Sequence, residues 1–457
     1  MKFYRKPIFT DFAPNSTVRD FKIAAGFIFL PWMWRKLRVG DSPTKVENWL
    51  KKYFGAKHAA SFDSGRSAIY YALKAIGVKE GDEVLLQGYT CAVVGNAVIW
   101  TGAKPIYVDI NRDLNMNPGD LEKKITPKSK VLIIQHTFGL PANLDELISA
   151  ARKNDLKVIE DCAHSLGAEY KGKRTGTFGD IGIFSFGSNK IVSCARGGAL
   201  ITNSDVLAVK LDEFRSQLPL SKKTKVLQHL FSYLIFAIAK PMYNLLIGKM
   251  ILALAKKIHL TARIIYPAEK KTQQVAFYPS MFPNALAAIL LAQLENLEES
   301  NKHREEIAKL YCKLLENKTL NPSSPARQIG QAAPDKFTSS LLRNKSPVPH
   351  CGMGFIPLNE SRDSKRVWLY YPIFTDQSNK LASEAKRHGI MLGADWTGSV
   401  IVPKGIDIGL FGYKIGECPA AEHLSVEIIN LPTSRRIRNK EAMRIVELVN
   451  NFYNQQQ

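Results

Sequence analysis

Residues 156–203 read LKVIEDCAHSLGAEYKGKRTGTFGDIGIFSFGSNKIVSCARGGALITN, and this stretch decides the fold. It contains three short, mostly apolar strands, which are LKVIED, IGIFSFG and GGALITN. An acid, Asp161, closes the first strand, and Lys190 stands in the link between the second and the third. Apolar strands of this length are typical of a sheet that is covered on both faces.

The strand pattern extends towards the N terminus. EVLLQG (83–88), KPIYVDI (104–110) and KVLIIQH (130–136) are further apolar strands, and helical stretches separate them. Residues 42–76 read as helical throughout, with apolar residues at turn spacing. This alternation predicts an α/β fold with a largely parallel sheet.

The C-terminal part predicts a smaller α+β domain. Residues 284–316 read as one long amphipathic helix. RVWLYYPIF (366–374) then predicts a strand, SNKLASEAKRHGI (378–390) predicts a helix, and a last helix begins near Asn439.

The ends of the strands carry the residues that indicate chemistry. Ligands of open α/β sheets bind at the carboxyl ends of the strands, where Asp161 could hold a protonated pyridine nitrogen. A single strand-end Asp is more often a helix cap, and a lone loop lysine is nearly always solvated. Lys190, however, lies between two strands, where partial desolvation would lower its pKa and make its amine nucleophilic. Ser185, five residues earlier, could donate its hydroxyl to a phosphate.

A candidate anion site precedes these residues. Ser64-Gly65-Arg66-Ser67 leads directly into a helix, whose free N–H groups and dipole attract anions. Gly65 lets the backbone approach closely, and Arg66 or Ser67 can add side-chain donors. The motif alone is weak, but a phosphate cradle, a strand-end Asp and a lysine in this order are far more specific.

These motifs resemble the DegT/DnrJ/EryC1/StrS family of sugar aminotransferases, which depend on pyridoxal 5'-phosphate (PLP). The resemblance is close over 42–212, resumes at 284–315 and is faint from Cys418 onward. The run from Ile159 to Lys190 carries it most specifically, together with GDEVLLQGYTCAVVGNAVIWTGAKPIYVDI, HTFGLPANLDEL, ARGGALITN and ECPAAEHLSVEIINLPT.

The resemblance implies PLP-dependent transferase fold type I, as in aspartate aminotransferase. We expect an N-terminal arm over 1–41, a PLP-binding large domain over 42–300 and a small α+β domain over 301–457. A basic and apolar insertion would occupy 222–275. The resemblance also implies a homodimer, because sites in this fold are built at a subunit interface.

The resemblance assigns roles to residues. Lys190 would hold PLP as a Schiff base and shuttle a proton, Asp161 would pair with the pyridinium nitrogen, and His164 would lie near the ring oxygen. The phosphate would be held by Ser185, Gly65, Arg66 and Ser67.

Three positions depart from the family pattern. Arg66 replaces the usual Thr, and Cys91 stands where a ring-stacking aromatic is expected, with Tyr89 nearby as a replacement. An Asn-x-Arg segment that would reach the partner's phosphate is missing near 279–281. Candidate substrate contacts are Arg196, His136 and Trp396, and no metal site is expected, because the cysteines form no CxxC pair.

Charge and apolarity suggest a further partner. The formal net charge is +22, which favours anionic partners. Segment 222–271 combines many Lys and Arg with one acid, Glu269, and Pro241 should interrupt any helix there. It predicts either a peripheral contact with an anionic membrane or two buried helices. AAGFIFLPWMW (24–34) predicts either an interfacial anchor or a buried N-terminal arm. No apolar run is long enough to span a bilayer.

The leading functional hypothesis is transfer of an amino group from an amino acid, glutamate above all, to a keto-sugar on a nucleotide or lipid phosphate. Such a reaction belongs to cell-surface glycan or antibiotic-sugar biosynthesis. The alternatives are a PLP-dependent sugar dehydratase, in which the lysine is replaced, and a membrane-associated, catalytically decayed protein. Nucleic-acid binding is disfavoured because no recognition motif is visible. We expect a cytoplasmic protein with reduced thiols, either free or at the cytoplasmic face of the membrane.

Overall fold

The structure is a computed structural model that describes residues 7–8, 15–316, 363–393 and 396–454. Its centre is a seven-stranded sheet in the order β1-β10-β9-β6-β5-β2-β4. Six strands run in one direction, and β10 runs against its neighbours β9 and β1. The sheet strands are β1 (His58–Phe62), β2 (Glu83–Gln87), β4 (Lys104–Val108), β5 (Ser129–Gln135), β6 (Lys157–Asp161), β9 (Ile181–Ser185) and β10 (Gly198–Thr202). This is the mostly parallel sheet expected of fold type I.

The sheet is buried on both faces, as the apolar strands predict. In β5, Val131 and Ile133 point into one hydrophobic cluster, whereas Leu132 and Ile134 point into another. Successive side chains of a strand face opposite sides, so a strand with a core on each side must be apolar throughout. The helices that cover the two faces include α2 (Ser42–Phe54), α3 (Gly65–Ile76), α4 (Ala92–Ile99), α5 (Pro118–Lys124), α6 (Leu144–Lys153), α7 (Asp205–Ser216) and α10 (Asn284–Leu294).

Two predictions of secondary structure were wrong. Residues 42–76 are not helical throughout, because β1 lies between α2 and α3 and pairs with β10. The long helix over 284–316 is two helices, α10 and α11 (Leu297–Glu316). The break lets α10 stay in the core of the sheet domain, while α11 continues into a separate cluster. Local periodicity does not reveal either event, since both are decided by tertiary contacts.

The C-terminal unit contains a two-stranded antiparallel sheet of β12 (Tyr370–Phe374) and β14 (Ile428–Pro432). Its hydrophobic cluster is formed with the end of α11, α12 (Ser378–Arg387) and α14 (Asn439–Asn454). α13 (Pro419–Glu427) precedes β14. The proposed boundary at 300–301 therefore falls inside α11, whose Leu297 belongs to one cluster and whose Ile307 belongs to the other.

Two small sheets of short strands lie outside the two main sheets. β3 (Thr90–Cys91) pairs with β13 (Ile401–Val402), which brings the C-terminal part against the sheet domain. β7 (Glu169–Tyr170), β8 (Lys173–Arg174) and β11 (Ser364–Lys365) form a small three-stranded sheet.

The N-terminal arm and segment 222–271 form helices on the outside of the sheet domain. α1 (Val18–Phe29) packs on α8 (Lys223–Ala239), which ends before Pro241 as predicted. α9 (Ile247–Lys257) then packs back along α8, and the Gln228 side chain donates to the His259 carbonyl at 2.6 Å. Within the described ranges, no helix has both the length and the apolarity needed to cross a bilayer.

Candidate functional site

Asp161 and Lys190 both lie at the carboxyl edge of the central sheet. Asp161 is the last residue of β6, and the register sets it beside Ile183 of β9. The loop after β9 brings Lys190 back to the same edge, within electrostatic reach of Asp161. Burial lowers the pKa of the Lys190 amine, while the nearby Asp161 opposes that change. A lysine with a lowered pKa is the nucleophile that Schiff-base chemistry needs.

The Asp161 carboxylate has one oxygen bound by the protein and one open. Its Oδ1 accepts the Ala163 N–H at 3.0 Å. Within the described residues, its Oδ2 accepts no hydrogen bond from the protein. Burial raises the pKa of Asp161, and Lys190 acts in the opposite direction. A cation placed against Oδ2 would relieve this desolvation.

His164 lies at the same edge as a neutral donor. Its Nδ1 accepts the Phe138 N–H at 3.4 Å, so the ring proton is assigned to Nε2. The ring stacks on Phe138 with 5.7 Å between centroids, and the edge of Trp396 lies at 4.9 Å. Burial, with the positive charge of Lys190, holds the pKa of His164 well below its usual value. The imidazole therefore stays neutral and can donate a hydrogen bond from Nε2.

The predicted anion site is a tight convergence of three backbones. A Cβ on Gly65 would lie 2.8 Å from the Ser185 Cβ, and a Cβ on Gly198 would lie 2.3 Å from the Gly65 nitrogen. The start of α3, the end of β9 and the start of β10 thus meet without space for side chains. Ser64 caps α3 through its Oγ, and the first intrahelical bond comes from Ala68. The N–H groups of Gly65 and Arg66 therefore precede the helical ladder, and the cradle fits a phosphate.

The Arg66 side chain is bound by residues of segment 222–271. It forms a buried ion pair with Glu269, and its Nη2 donates to the Ile264 carbonyl at 2.8 Å. Glu269 is fully buried and also accepts the Tyr266 N–H at 2.7 Å. The only acid of 222–271 therefore pairs with Arg66, the residue that departs from the family pattern. This ion pair explains both the presence of Arg66 and the single acid in the segment.

Cys91 and Tyr89 occupy different surroundings. Cys91 lies in electrostatic contact with Lys190, and burial raises the pKa of its thiol. Tyr89 is fully buried, and its hydroxyl donates to the Trp396 carbonyl at 2.5 Å. Its ring meets Trp396 and Phe138 edge to face. Cys91 thus borders the lysine, whereas Tyr89 belongs to an aromatic cluster that also contains His164 and Trp396.

The three candidate substrate contacts, Trp396, Arg196 and His136, lie in three different surroundings. Trp396 packs against His164, as described above. Arg196 lies at the anion cradle, with Nη2 3.4 Å from the Ser64 Oγ. His136 is fully buried, its Nε2 pairs with Glu160 at 3.2 Å, and its Nδ1 accepts the Ala142 N–H. Both ring nitrogens of His136 are therefore engaged within the protein, and this geometry favours a structural role.

Glu160, His136 and Cys162 are close enough together to suggest a metal site within the described residues. The Glu160 oxygens, however, already accept N–H groups of the 176–179 turn at 2.6–2.8 Å. The carboxylate closes that turn, and these hydrogen bonds compensate for the loss of water around the buried carboxylate.

Sequence reasoning missed the contact that holds the lysine loop. The Asn15 Nδ2 donates to the Lys190 carbonyl at 3.0 Å and to the Ile191 carbonyl at 2.5 Å. The Asn15 Oδ1 in turn accepts from Arg304 at 2.9 Å. Arg304 also donates to Trp368 and Thr433, so one buried guanidinium links the arm, the lysine loop and the C-terminal unit. No local pattern marks these residues, because their partners are distant in sequence.

Comparison with known proteins identifies sugar aminotransferases as relatives. GDP-perosamine synthase of Escherichia coli O157:H7 is 28% identical over 415 residues, which cover 91% of each chain. UDP-N-acetyl-3-dehydro-alpha-D-glucosamine 3-aminotransferase of Acidithiobacillus ferrooxidans is 26% identical over 413 residues, or 90% of this chain and 88% of that protein. Among solved structures, the Helicobacter pylori aminotransferase PseC, involved in pseudoaminic acid biosynthesis, superimposes with a TM-score of 0.69. It is 19% identical and covers 98% of this chain and 100% of its own.

The sequence model of one family matches most of the sheet domain. It aligns with residues 33–240 and 254–341, and the interruption lies between α8 and the middle of α9. The chain belongs to the DegT/DnrJ/EryC1/StrS aminotransferase family, whose cofactor is pyridoxal phosphate.

Proposed function

We propose that this enzyme transfers an amino group from an amino acid, glutamate above all, to a keto-sugar carried on a nucleotide or a lipid phosphate. The observation that carries the proposal is that Asp161, at the end of β6, and Lys190, in the loop after β9, lie at the same edge of the sheet. The nucleotide-sugar names of two relatives support the substrate class. The basic surplus would help to attract such an anionic substrate.

The residues at the sheet edge would divide the work. Bound PLP supplies an electron sink for the carbon that loses a proton. Lys190 would bond the cofactor and, once released, move the proton at the reacting carbon. The open Asp161 Oδ2 would face the pyridine nitrogen, and the His164 Nε2–H would donate to the ring oxygen.

The other residues that would touch the cofactor orient its phosphate and its ring. Ser185 and the N–H groups of Gly65 and Arg66 would hold the phosphate. Ser67, which was predicted to join them, instead supports the turn, because its hydroxyl donates to Asp63 at 2.6 Å and its N–H donates to the Ser64 Oγ. Cys91 would border the ring beside Lys190, and Tyr89 would support that border through Trp396. We also propose a homodimer, as the fold implies, and light scattering of the purified protein tests it.

The experiment is an amino-transfer assay. The purified protein with PLP and glutamate is offered keto-sugar nucleotides and lipid-linked keto-sugars, and 2-oxoglutarate is followed. We expect 2-oxoglutarate with at least one acceptor and none from Lys190→Ala. A protein that shows no visible absorbance band of bound PLP would instead be a decayed member of the fold.

We further propose that α9 contacts an anionic membrane surface. Four apolar side chains of α9 and its end are exposed at helical spacing, namely Ile247, Met250, Leu254 and Ile258. Exposed lysines flank them, and the one acid of 222–271 is buried against Arg66. A face with only positive charge repels a second copy of itself, whereas an anionic bilayer complements both its charge and its apolarity. The arm would add Trp32 and Trp34, which are exposed as well.

Liposome flotation tests the membrane contact. We expect the protein to float with vesicles that contain phosphatidylserine and to float less with neutral vesicles or at high salt. Met250→Ser with Leu254→Ser should abolish flotation. Val206→Ser with Val209→Ser, which removes two equally exposed apolar side chains from α7, is the matched control. Equal flotation of both variants would exclude α9 as the contact.

A further inference from the structure

The positive charge of the anion cradle does not come from Arg66. Its guanidinium forms an ion pair with Glu269 and donates to the Ile264 carbonyl. Both terminal nitrogens of this guanidinium therefore already face protein oxygens. A phosphate at the start of α3 therefore needs its charged donor from elsewhere.

Arg196 is the guanidinium that faces the cradle. It stands directly before Gly197 and Gly198, and Gly198 presses against the backbone of Ser64 and Gly65. Its Nη2 lies 3.4 Å from the Ser64 Oγ and 3.6 Å from the Asp63 Oδ2, and its side chain is 11% exposed. The other oxygen of Asp63, Oδ1, accepts the Ser64 and Ser67 hydroxyls at 3.2 and 2.6 Å. The long Arg196–Asp63 contact orients the guanidinium and leaves it donors for an anion.

Tyr278 supplies an independent observation at the same place. Its ring lies under both guanidiniums, 4.3 Å from Arg196 and 5.7 Å from Arg66. The residue is 3% exposed, and its hydroxyl has no hydrogen-bond partner within the described part of the chain. Burial raises the pKa of Tyr278, and Arg66 and Arg196 oppose the rise, so the hydroxyl lies in their field. A buried hydroxyl without a partner is unusual and suggests a ligand.

We propose that Arg196 and Tyr278 complete the phosphate site from within the same chain. The ligand is the phosphate monoester of the cofactor, so this inference rests on the proposed function. Arg196 provides the charge, and the Tyr278 hydroxyl donates a hydrogen bond. This arrangement compensates for the missing Asn-x-Arg segment that would otherwise reach a partner's phosphate.

The test compares PLP with pyridoxal, which has the same ring and aldehyde but no phosphate. The cofactor-free full chain is titrated with each compound by absorbance, and inorganic phosphate is added as a competitor. For the wild type we expect tighter binding of PLP than of pyridoxal, and competition by phosphate only against PLP. Arg196→Gln and Tyr278→Phe should each weaken PLP binding about tenfold or more and leave pyridoxal binding unchanged.

Two controls separate this contact from general effects. Arg152→Gln removes a positive charge from the exposed surface of α6 and should change neither titration. Tyr278→Phe keeps the ring, so its thermal unfolding without PLP should match that of the wild type. Equal losses of PLP and pyridoxal in the variants, or no loss of either, would overturn the inference. Failure of the wild type to bind PLP would instead overturn the proposed function.

Discussion

The carboxyl edge of the central sheet and the 222–275 segment differ in how they are built. The edge is made by residues that follow their strands directly, with Asp161 at the end of β6 and Ser185 at the end of β9. The segment instead packs α8 into the main hydrophobic cluster and holds its later part through single long-range contacts, such as Glu269 with Arg66 and Asn96 with the Glu269 carbonyl. Chemistry at the edge should therefore depend on a few side chains, whereas the segment should act through stability and docking.

Loss of the Lys190 amine should have the largest effect at the edge. Lys190→Ala removes the group that would bond the cofactor and move the proton, so kcat should fall about a thousandfold or more. Lys153→Ala, which changes an exposed lysine of α6, should leave kcat unchanged. Single-turnover kinetics measures both. Substantial activity in the first variant would remove Lys190 from the mechanism.

Asp161→Asn should have the next largest effect. The amide keeps the shape but cannot stabilise a protonated pyridine nitrogen, so the rate should fall on the order of 100-fold. PLP affinity should fall less, because the phosphate contacts remain. An unchanged rate would show that the carboxylate serves only to accept the Ala163 N–H.

Glu269→Gln tests the contact that joins the two regions. It leaves the buried Arg66 guanidinium without its anion, which should cost about 3–5 kcal/mol of unfolding free energy. Arg66→Thr combined with Glu269→Gln should cost less than the two single changes added together. Urea denaturation measures the cycle. Glu295→Gln, which breaks the exposed ion pair with Arg19, should change stability little.

Asn15→Ala should loosen the lysine loop. The change removes two donors to the loop carbonyls and one acceptor of Arg304, so we expect a loss of about 1–3 kcal/mol. PLP affinity should fall with it, because the loop carries Lys190. Asn154→Ala, which changes a surface asparagine after α6, is the control. Equal effects of the two changes would show that Asn15 does not hold the lysine loop.

The pH dependence of stability should show a smaller effect of Lys190. Burial lowers the pKa of Lys190 below 10.5, so the unfolded chain binds the proton more tightly than the folded one. Its contribution therefore destabilises the cofactor-free fold at neutral pH. This penalty should shrink as pH rises from the folded pKa towards 10.5. Lys190→Met should lack this rise in urea denaturation, and parallel curves for both proteins would contradict the assignment.

The parts that sequence could predict are those that depend on local pattern. Apolar strands, the break at Pro241 and the order of Ser64, Asp161 and Lys190 all follow from short windows. β1 was not predicted because HAASF carries no alternation of apolar and polar residues. The division of α10 from α11 was not predicted because it depends on which hydrophobic cluster each helix joins. The roles of Asn15, Arg304 and Tyr278 were not predicted because the residues that they contact lie far away in sequence.

Arg66 shows how a departure from a family pattern can carry information. Alone it suggested a phosphate contact, and Glu269 stood out only as the single acid of a basic segment. The fold places the two together in one buried pair. A mismatched residue in a motif and an isolated charge elsewhere are thus worth testing as partners.

The most direct test of the account is borohydride reduction of the PLP-loaded protein, followed by peptide mass analysis. Reduction fixes the cofactor to the amine that holds it. The account predicts a phosphopyridoxyl group on the peptide that contains Lys190 and on no other. A label on a different lysine, or no label in a protein that binds PLP, would contradict it.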